Sequence, residues 1–585
     1  MNPRRGGRDS WLVCALAAVA SVTSFAHYFL INEILRYGDA VAHINIARRV
    51  FDSRTPGLDQ LGTVWLPLPH LLTIPFITSD WMWRTGAGGS VASMVAYVAG
   101  VIGVFRLVRD NLDERGRGRV AAWIAAAVYG ANPNLLYMQA TAMTESLSLA
   151  LFVWAVVFFA DFVRRAKTGE ELQRAERSLW WCALVLSGEM LTRYDGWFLA
   201  SAMFVVLLVF LMLRDLGQSN QGNREPGTGN SKTGTETQGT GNGEQGTENR
   251  KAASATWRAV VLRFAVLIAL VPVFWFTYNY RLFGNPLEFA NGPYSAKAIA
   301  ERTRRAGEPP YPGKDHPVTA AAYLVKSGVL NLGGSRLEGE YGWWWRKRWQ
   351  QDGWFLVLLM GTMALLLLRR SGRDKSTVGQ NVGRPVWPLL LLWVPLPFYA
   401  LSIAYGGVPI FIPSWWPYSY YNVRYGLQLL PAAAVCMAAM VVYGRWWKTV
   451  ALVALTFVVM TYRGTWRTDP ICLREAMVNS QTREQLESKL AEALTQLPPE
   501  ENILMSTGDH VGALERAGVP LKQTINENNY YAWHEALHSP AKLADYAVAF
   551  GDDDVSKAVR NNGAFVPEQT ITVDGQKTAV LYRRK

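Results

Sequence analysis

The sequence predicts a polytopic α-helical membrane protein with about eleven transmembrane helices and a small C-terminal α/β domain on the extracytoplasmic side. Three observations support this fold class. Apolar stretches long enough to cross a bilayer recur between residues 11 and 462. Lys and Arg cluster in every second connection between these stretches. After residue 470 the apolar stretches end, and strand-like segments alternate with helical ones.

The predicted transmembrane helices are the apolar stretches themselves, since about 20 mostly apolar residues span the hydrocarbon core. Hydrophobic residues make up 50% of the chain and charged residues only 18%, as expected for a membrane protein. The predicted helices occupy residues 11–31, 88–108, 120–138, 143–163, 178–192, 197–213, 257–279, 353–369, 386–405, 425–443 and 447–462. The stretch 65–78 is apolar but interrupted by prolines, so we expect a partial helix at the membrane surface.

The basic residues set the predicted orientation in the membrane. Arginines precede the first apolar stretch, and the later basic clusters fall on the same side, at residues 106–119, 164–177, 214–251, 369–384 and 445–448. The positive-inside rule puts this side, with the N-terminus, in the cytoplasm, and an odd number of helices then carries the C-terminus out. A net charge of +13 spread in this way favours membrane lipids over nucleic acid as partners. The predicted location is the cell (inner) membrane.

This topology divides the chain into two domains. Residues 1–465 form the predicted transmembrane domain, and residues 470–585 form the soluble extracytoplasmic α/β domain. The transmembrane domain contains a first outer loop with interfacial helices at 32–87 and a large outer loop at 281–352. Residues 216–250 are rich in Gly, Thr, Asn and Gln and predict a disordered cytoplasmic loop, because this composition cannot bury a core.

The first outer loop opens with a predicted amphipathic helix at 37–51, whose apolar residues recur at helical spacing. Such a helix can lie in the plane of the membrane interface. Asp39 and His43 are four residues apart and therefore share a neighbouring face. The Asp39 carboxylate could take a proton from an acceptor hydroxyl as a general base. It could instead cap the helix, and the sequence leaves both roles open.

Further ionisable residues stand at the outer ends of predicted helices. Glu145 lies at one such end, and Arg193 and Asp195 lie in a turn between two helices. Because charged groups at membrane depth are costly, they are usually functional or paired. Arg193 could hold a phosphate, which a guanidinium matches well, or it could only form an ion pair with Asp195 or Glu145. Arg424 could likewise contact a phosphate or extend its side chain to the interface.

Metal ligands are the last candidates. His43 and His70 could bind a divalent metal together with Asp39, but they do not form a tight ligand cluster in the sequence. The sequence therefore requires no cofactor, while leaving room for a divalent metal.

The helix that opens with Asp39 and the segments ProLeuProHis, MetThrGluSerLeu, ThrArgTyrAspGly and AsnValArgTyrGly together resemble the GT-C superfamily of membrane glycosyltransferases. The resemblance covers residues 10–460 and is to the protein mannosyltransferase and aminoarabinose transferase type. It implies that Asp39 and Glu145 are the catalytic carboxylates. The expected substrate-binding residues are His43, His70, Arg193, Tyr194, Asp195, Asn422, Arg424 and Tyr425.

The sequence departs from the family pattern at three places. Ala40 stands where a second acidic residue is often found, and Arg193 stands where Lys is commoner. The TrpTrpAspTyrGly signature of oligosaccharyltransferases is missing, since GlyTrpTrpTrpArg at 342–346 lacks the Asp. Transfer of an oligosaccharide to Asn is therefore less expected.

The resemblance implies transfer of a sugar from a polyprenyl-phosphate-linked donor to a protein, lipid or glycan acceptor on the non-cytoplasmic face. Asp39 would activate the acceptor hydroxyl, and Arg193 or Arg424 would offset charge on the phosphate leaving group. Two alternatives stay open, a lipid-linked glycan transporter or flippase and a metal-dependent enzyme like the oligosaccharyltransferases. A transporter is expected to show internal repeats and charges near the membrane midplane, and neither pattern stands out in this sequence.

Overall fold

Helices form most of the described residues before residue 495 in the computed structural model, which describes residues 3–112, 116–168, 172–222, 242–333, 344–371 and 385–585. The first ten are α1 (Pro3–Leu30), α2 (Gly38–Arg49), α3 (Leu68–Thr73), α4 (Asp80–Arg84), α5 (Ala87–Asn111), α6 (Gly118–Gly130), α7 (Pro133–Met138), α8 (Glu145–Thr168), α9 (Leu172–Met190) and α10 (Asp195–Gly222). Most of the predicted disordered loop, residues 223–241, lies outside the described residues.

The second half of the transmembrane region contains eight more helices. They are α11 (Asn242–Phe283), α12 (Glu288–Asn291), α13 (Ala296–Arg305), α14 (Pro317–Asn331), α15 (Trp344–Ser371), α16 (Pro395–Tyr405), α17 (Leu430–Tyr443) and α18 (Trp447–Arg467). Short 3₁₀ helices, Trp387–Trp393 and Val423–Leu429, lead into α16 and α17. Pro395 and Pro431 stand in the first turns of α16 and α17, where the missing N–H of proline costs no helical hydrogen bond.

Nine helical stretches of the described chain are long and apolar enough to cross a membrane. They are Gly7–Leu30, Ala87–Asn111, Glu145–Ala166, Asp195–Leu213, Trp257–Phe283, Trp349–Leu368, Trp387–Tyr405, Val423–Tyr443 and a stretch within Trp447–Thr495. The two other predicted segments are also helical. One is divided between α6 and α7, and the other, α9, contains charged residues at both ends. The predicted class, a polytopic helical membrane protein with a small C-terminal sheet domain, is confirmed.

After α18 the chain forms a long helix, α19 (Ile471–Thr495), and an α/β domain. The elements of this domain are β1 (Ile503–Met505), α20 (Val511–Ala517), β2 (Thr524–Ile525), α21 (Tyr531–His538), α22 (Pro540–Leu543), β3 (Tyr546–Phe550), α23 (Asp554–Asn562), β4 (Phe565–Ile571) and β5 (Ala579–Arg584). The strand order is β2-β1-β3-β5-β4, in which β2, β1 and β3 are parallel and β5 is antiparallel to β3 and β4.

The strand-like segments of the sequence are residues 503–506, 546–550 and 578–582, which match β1, β3 and β5, whereas β2 and β4 are not predicted. β2 has only two residues, too few for a recognisable pattern. β4 is the last strand at one edge of the sheet and contains Pro567, which is tolerated at edges but argues against a strand in a sequence. The two missed strands are therefore the two at the edges of the sheet.

Helix α2 is enclosed by protein. Ala40, Ile44 and Ala47 are fully buried, as the helical spacing predicts. Its polar residues Asn45 and Arg48 are buried as well. α2 packs against α3 and α5 on one side and against α20 of the C-terminal domain on the other. The C-terminal domain therefore covers the face that the sequence assigns to solvent.

Many polar contacts connect the C-terminal domain to the first outer loop, and two of them lie close to α2. Asn45 Nδ2 donates to Glu515 Oε2 at 2.5 Å. Arg483 Nη2 donates to the backbone carbonyl of Arg36 at 3.0 Å. One continuous apolar core also runs from α1 into the C-terminal sheet. Side chains that come from the two parts of the chain are therefore held in a fixed arrangement.

Candidate active site

The charged residues singled out in the sequence come from distant segments and meet in one cleft. Asp39 lies in the first turn of α2, and Glu145 is the first residue of α8. Arg193 lies between α9 and α10, Asp195 begins α10, and Arg424 lies in the 3₁₀ helix that leads into α17. Each residue stands where a helix begins or ends, so the helix ends on one side of the bundle build the cleft.

Arg424 contacts three carboxylates. Its Nη2 lies 2.6 Å from Asp39 Oδ2, its Nε lies 3.2 Å from Glu145 Oε1, and its Nη1 lies 3.0 Å from Glu475 Oε1. The backbone N–H of Arg424 also donates to Glu475 Oε2 at 3.1 Å. The interpretation of Arg424 as a side chain extended to the interface is therefore wrong, since only 10% of it is exposed and it is directed into the protein.

The three carboxylates around Arg424 differ in exposure. Glu145 and Glu475 are each 1% exposed, whereas 39% of the Asp39 side chain is exposed. Asp39 does not cap α2, because the N-cap residue is Tyr37 and no side chain accepts a capping hydrogen bond there. Of the two roles that the sequence leaves open for Asp39, capping is excluded. Its role as a base stays a proposal.

Arg193 forms a second group of contacts, joined to the first through Glu145. Its Nη1 lies 3.5 Å from Glu145 Oε1, and its Nε lies 3.3 Å from Asp195 Oδ2, so both predicted ion pairs are present. Its Nη2 donates to the Tyr399 hydroxyl at 2.7 Å, which in turn donates to Asp195 Oδ2 at 2.8 Å. Glu145 Oε1 thus lies between two guanidiniums, and Oε2 has no hydrogen-bond partner within the described chain.

Two tyrosine rings pack against these guanidiniums. The ring of Tyr425 lies 5.1 Å from the guanidinium of Arg193 and 5.3 Å from that of Arg424. The ring of Tyr37 lies 5.1 Å from Arg424. These distances are within the range of cation–π attraction. Tyr425 therefore contacts both arginines and stabilises two like charges close together.

Tyr194 and Asn422 line the cleft by different means. The ring of Tyr194 stacks on Phe289 with centroids 4.9 Å apart. Asn422 has a left-handed backbone, with φ of 54°, a conformation that Asn tolerates better than most residues. Its side-chain amide donates to the carbonyl of Pro409 at 2.9 Å. Asn422 thus forms the turn that places Arg424.

His43 and His70 form a buried pair beside the cleft. Nδ1 of His43 lies 2.9 Å from Nε2 of His70, so one imidazole donates a hydrogen bond to the other. Burial lowers the pKa of His43 to about 4 and holds the pKa of His70 well below its usual value. Both rings are therefore neutral at physiological pH. His43 lines the same cavity as Asp39.

The candidate metal ligands do not converge on one point. Within the ranges that the structure describes, no group of three or more His, Cys, Asp or Glu side chains is placed to hold a metal ion. The His43–His70 hydrogen bond occupies one ring nitrogen of each residue, and Asp39 faces Arg424. These residues do not fit a bound divalent ion, so the mechanism below uses none.

Two cavities meet at Asp39 and Arg424. One, of about 440 Å³, also contains His43, Glu145, Arg193, Tyr194, Lys297 and Tyr399. The other, of about 530 Å³, also contains Arg304, Tyr311, Lys314, Trp416, Tyr421 and Asn422. We call them the first and the second chamber. Because both chambers reach Asp39, two different molecules can approach this carboxylate from separate sides.

Glu475 and Tyr399 belong to the site but are not predicted from the sequence. Tyr399 lies in an apolar stretch, where tyrosine is common, so it carries no signal. Glu475 lies in α19, among the buried apolar residues Cys472, Leu473 and Ala476. An acidic residue on an apolar helix face usually has a buried partner, and this was the signal that could have found it.

No protein-family model and no curated protein matches this sequence. The crystal structure of ArnT from Cupriavidus metallidurans bound to undecaprenyl phosphate is similar over 96% of this chain and 97% of that chain, with 12% identity and a TM-score of 0.50. An oligosaccharyltransferase from Archaeoglobus fulgidus, AglB, in complex with an inhibitory peptide and a dolichol-phosphate, matches 92% of this chain and 69% of its own, with 12% identity and a TM-score of 0.42. The match to ArnT shows a common fold.

Proposed function

We propose that this chain is a membrane glycosyltransferase that moves a sugar from a polyprenyl-phosphate-linked donor to an acceptor hydroxyl. One observation carries the proposal: the partly exposed Asp39 carboxylate lies 2.6 Å from Arg424 where two chambers meet. This transfer requires a base that can reach both substrates and cations that offset the charge on the phosphate leaving group. Asp39 and the guanidiniums beside it meet both requirements. The fold shared with ArnT, whose structure holds undecaprenyl phosphate, supports the donor class.

Asp39 is the proposed general base because, of the three carboxylates around Arg424, only Asp39 is more than 1% exposed. It accepts the proton of the acceptor hydroxyl while that oxygen attacks the anomeric carbon of the sugar. The bond between this carbon and the phosphate oxygen breaks, and polyprenyl phosphate leaves with the electron pair. Arg424 holds the carboxylate in a fixed orientation throughout.

The first chamber is the proposed donor site. Arg193 and Lys297 line it together with Arg424, so three cations surround the place where phosphate charge develops. Glu145 contacts both guanidiniums through one oxygen and so orients them. The sugar–phosphate bond is already activated, so the transfer needs no metal. The second chamber is left for the acceptor, which we expect to be a protein, a lipid or a glycan.

We assign the cleft and the C-terminal domain to the extracytoplasmic side of the cell (inner) membrane, with the N-terminus in the cytoplasm. The contact between Arg424 and Glu475 of α19 supports one common side for cleft and domain. The positive-inside rule supports the orientation, because the basic clusters lie at the opposite helix ends. The division into a transmembrane domain, 1–465, and a soluble domain, 470–585, is part of this proposal.

The test is the Asp39→Asn protein in a transfer assay. Purified full-length protein in lipid nanodiscs is given a radiolabelled polyprenyl-phosphate sugar, and release of polyprenyl phosphate is measured with and without a chelator. Asn keeps the shape of Asp but cannot take a proton, so we expect release to fall by about 100-fold or more. The chelator should have no effect on the wild-type rate.

The matched control is Asp59→Asn, which changes an exposed carboxylate of the same outer loop away from both chambers. Its rate should equal that of the wild type. Near-normal release by the Asp39→Asn protein would remove the catalytic assignment. Absence of release by the wild type with every polyprenyl-phosphate sugar offered would remove the proposed function itself.

A further inference from the structure

Helix α11 has an exposed apolar side that continues toward the C-terminal domain. Leu270, Val273 and Phe274 on this side are each more than half exposed, as expected of apolar residues that face lipid. The ring centroid of Phe274 lies 6.4 Å from that of Tyr278, one turn further along the helix. Tyr278 therefore extends the lipid-facing side of α11 toward the helix end on the side of the cleft.

The first outer loop and the C-terminal domain both approach Tyr278. The hydroxyl of Tyr278 donates to the backbone carbonyl of Leu58 at 3.1 Å. Gln60 Nε2 donates to the backbone carbonyl of Asn528 at 3.1 Å, which joins this loop to the turn that follows β2. Tyr530 lies two residues further along that turn and within electrostatic reach of the Tyr278 hydroxyl. The turn after β2 therefore lies beside α11.

Apolar surface is exposed where these segments meet. Tyr531 is 92% exposed and Leu58 is 58% exposed. Tyr530 has a φ of 42°, a conformation that bulky residues seldom adopt and that is concentrated at functional segments. We call Leu58, Phe274, Tyr278, Tyr530 and Tyr531 the aromatic strip. The strip is built from three separate segments of the chain, so its continuity depends on the fold.

The length of α11 places the aromatic strip at the membrane surface. The apolar stretch Trp257–Phe283 has 27 residues, which extend about 40 Å at 1.5 Å per residue. Centred on a hydrocarbon core of about 30 Å, such a stretch leaves roughly 5 Å at each end among the headgroups. Tyr278 lies about 7.5 Å before the end of the stretch. It is therefore close to the boundary between headgroups and hydrocarbon, where tyrosine is enriched in membrane proteins.

We propose that the aromatic strip seats the C-terminal domain on the membrane, with Tyr530 and Tyr531 among the lipid headgroups of the leaflet beside the cleft. Continuity of the strip with the lipid-facing side of α11 identifies lipid as the occupant. The charged groups that act on Tyr530 are Asp59 and Arg49, one of each sign. The contact therefore depends on aromatic surface and needs no anionic lipid. It is independent of the proposed transfer reaction.

Spin labels on the full-length protein test this contact. The protein is placed in phosphatidylcholine nanodiscs with a nitroxide on one introduced cysteine, in a Cys14→Ser background that removes the one native cysteine that is not buried. Collisions of the label with oxygen, which concentrates in lipid, are compared with collisions with a water-soluble nickel chelate. Tyr531→Cys carries the first label, at a position so exposed that no packing is lost. Leu58→Cys carries the second, on a different segment of the strip.

The control label is placed at Glu568→Cys, an exposed position of β4 at the opposite edge of the sheet from β2. Four strand spacings of about 4.8 Å separate the two edges by about 19 Å. We expect the ratio of oxygen to nickel collisions at Tyr531→Cys and Leu58→Cys to be at least about threefold higher than at Glu568→Cys.

Three results would overturn the proposal. Equal ratios at Tyr531→Cys and Glu568→Cys would place the strip in water. Few collisions with either reagent at Tyr531→Cys would show that protein, such as a second copy of the chain, covers the strip. A high ratio at only one of Tyr531→Cys and Leu58→Cys would show that the strip does not contact lipid as a unit.

Discussion

The two arginines of the cleft share Glu145 but are held in different ways. Arg424 is bound by three carboxylates, and one of them, Glu475, belongs to the helix that leads into the C-terminal domain. Arg193 is bound by Glu145, Asp195 and the neutral hydroxyl of Tyr399, all of which belong to helices of the transmembrane region. Arg424 therefore links the cleft to the C-terminal domain, whereas Arg193 depends on the membrane helices alone.

This difference indicates a division of roles. Arg424 compensates buried negative charge and contacts the partly exposed Asp39, so on the proposed function we expect its loss to lower both stability and turnover. Arg193 presents its guanidinium to the first chamber. Its acidic partners have other contacts, since Asp195 accepts from Tyr399 and Glu145 contacts Arg424. Its loss should affect donor binding more than stability. The two arginines are thus expected to differ in two measurements, one of stability and one of donor binding.

Arg424→Ala should give the largest effect. It leaves Glu145 and Glu475, each 1% exposed, without their shared guanidinium. Removing one partner of a buried ion pair costs about 3–5 kcal/mol, so thermal unfolding in detergent, followed by tryptophan fluorescence, should occur at a much lower temperature. Arg263→Ala, which removes an arginine that is 66% exposed, should change the melting temperature little. Equal melting of both variants would show that the buried carboxylates do not need Arg424.

Arg193→Lys should give an intermediate effect, confined to the donor. A lysine keeps the charge but cannot contact Glu145, Asp195 and Tyr399 at the same time, as the guanidinium does. We expect the KM for the polyprenyl-phosphate sugar to rise about tenfold, with a melting temperature near that of the wild type. A fall in kcat at constant KM would instead place the contact of Arg193 in the transition state.

Glu515→Gln should give an effect that is visible only as a change with pH. Burial raises the pKa of Glu515 to about 8. One of its carboxylate oxygens accepts a hydrogen bond from Asn45, and the charged groups nearby are Glu487, Arg516 and Arg483. The folded-state pKa of Glu515 lies above its unfolded value, so protonated Glu515 stabilises the folded protein. This contribution to the free energy of unfolding is complete below about pH 4.5 and is lost as the pH rises through about 8.

The wild type should therefore lose up to about 1.4 kcal/mol of stability per pH unit between about pH 5 and 8, relative to Glu515→Gln. The measurement is the melting temperature of both proteins at several pH values across this range. Glu568→Gln, at an exposed position of β4, serves as the control and should follow the wild type. Parallel curves for wild type and Glu515→Gln would show that Glu515 is charged in the folded protein.

The sequence predicts the charged residues of the cleft but not the contact between Arg424 and Asp39, for a physical reason. Asp39, Glu145, Arg193 and Arg424 stand next to apolar stretches, where a charge is costly and therefore conspicuous. The alternation of basic clusters also assigns all four to one side of the membrane. The contact of Arg424 with Asp39 is not predictable in this way, because the two residues are 385 residues apart and their contact depends on how the helices pack.

The same limit applies to α2. Its apolar spacing predicts one buried face, and Ala40 and Ile44 are indeed buried. Its polar face predicts solvent or headgroups, yet Asn45 lies against Glu515 of the C-terminal domain. Hydrophobic periodicity reports which side of a helix is apolar. It does not report that a separate domain covers the polar side.

The position of Glu475 has a consequence for biosynthesis. Arg424 is followed by Glu475 only 51 residues later, in the first helix after the last apolar stretch. A growing chain therefore inserts every membrane helix before the third carboxylate around Arg424 exists. We expect nascent chains that end before residue 471 to hold Asp39 loosely and to leave lipid-linked sugar intact. The order of synthesis would then protect the donor pool from incomplete enzyme.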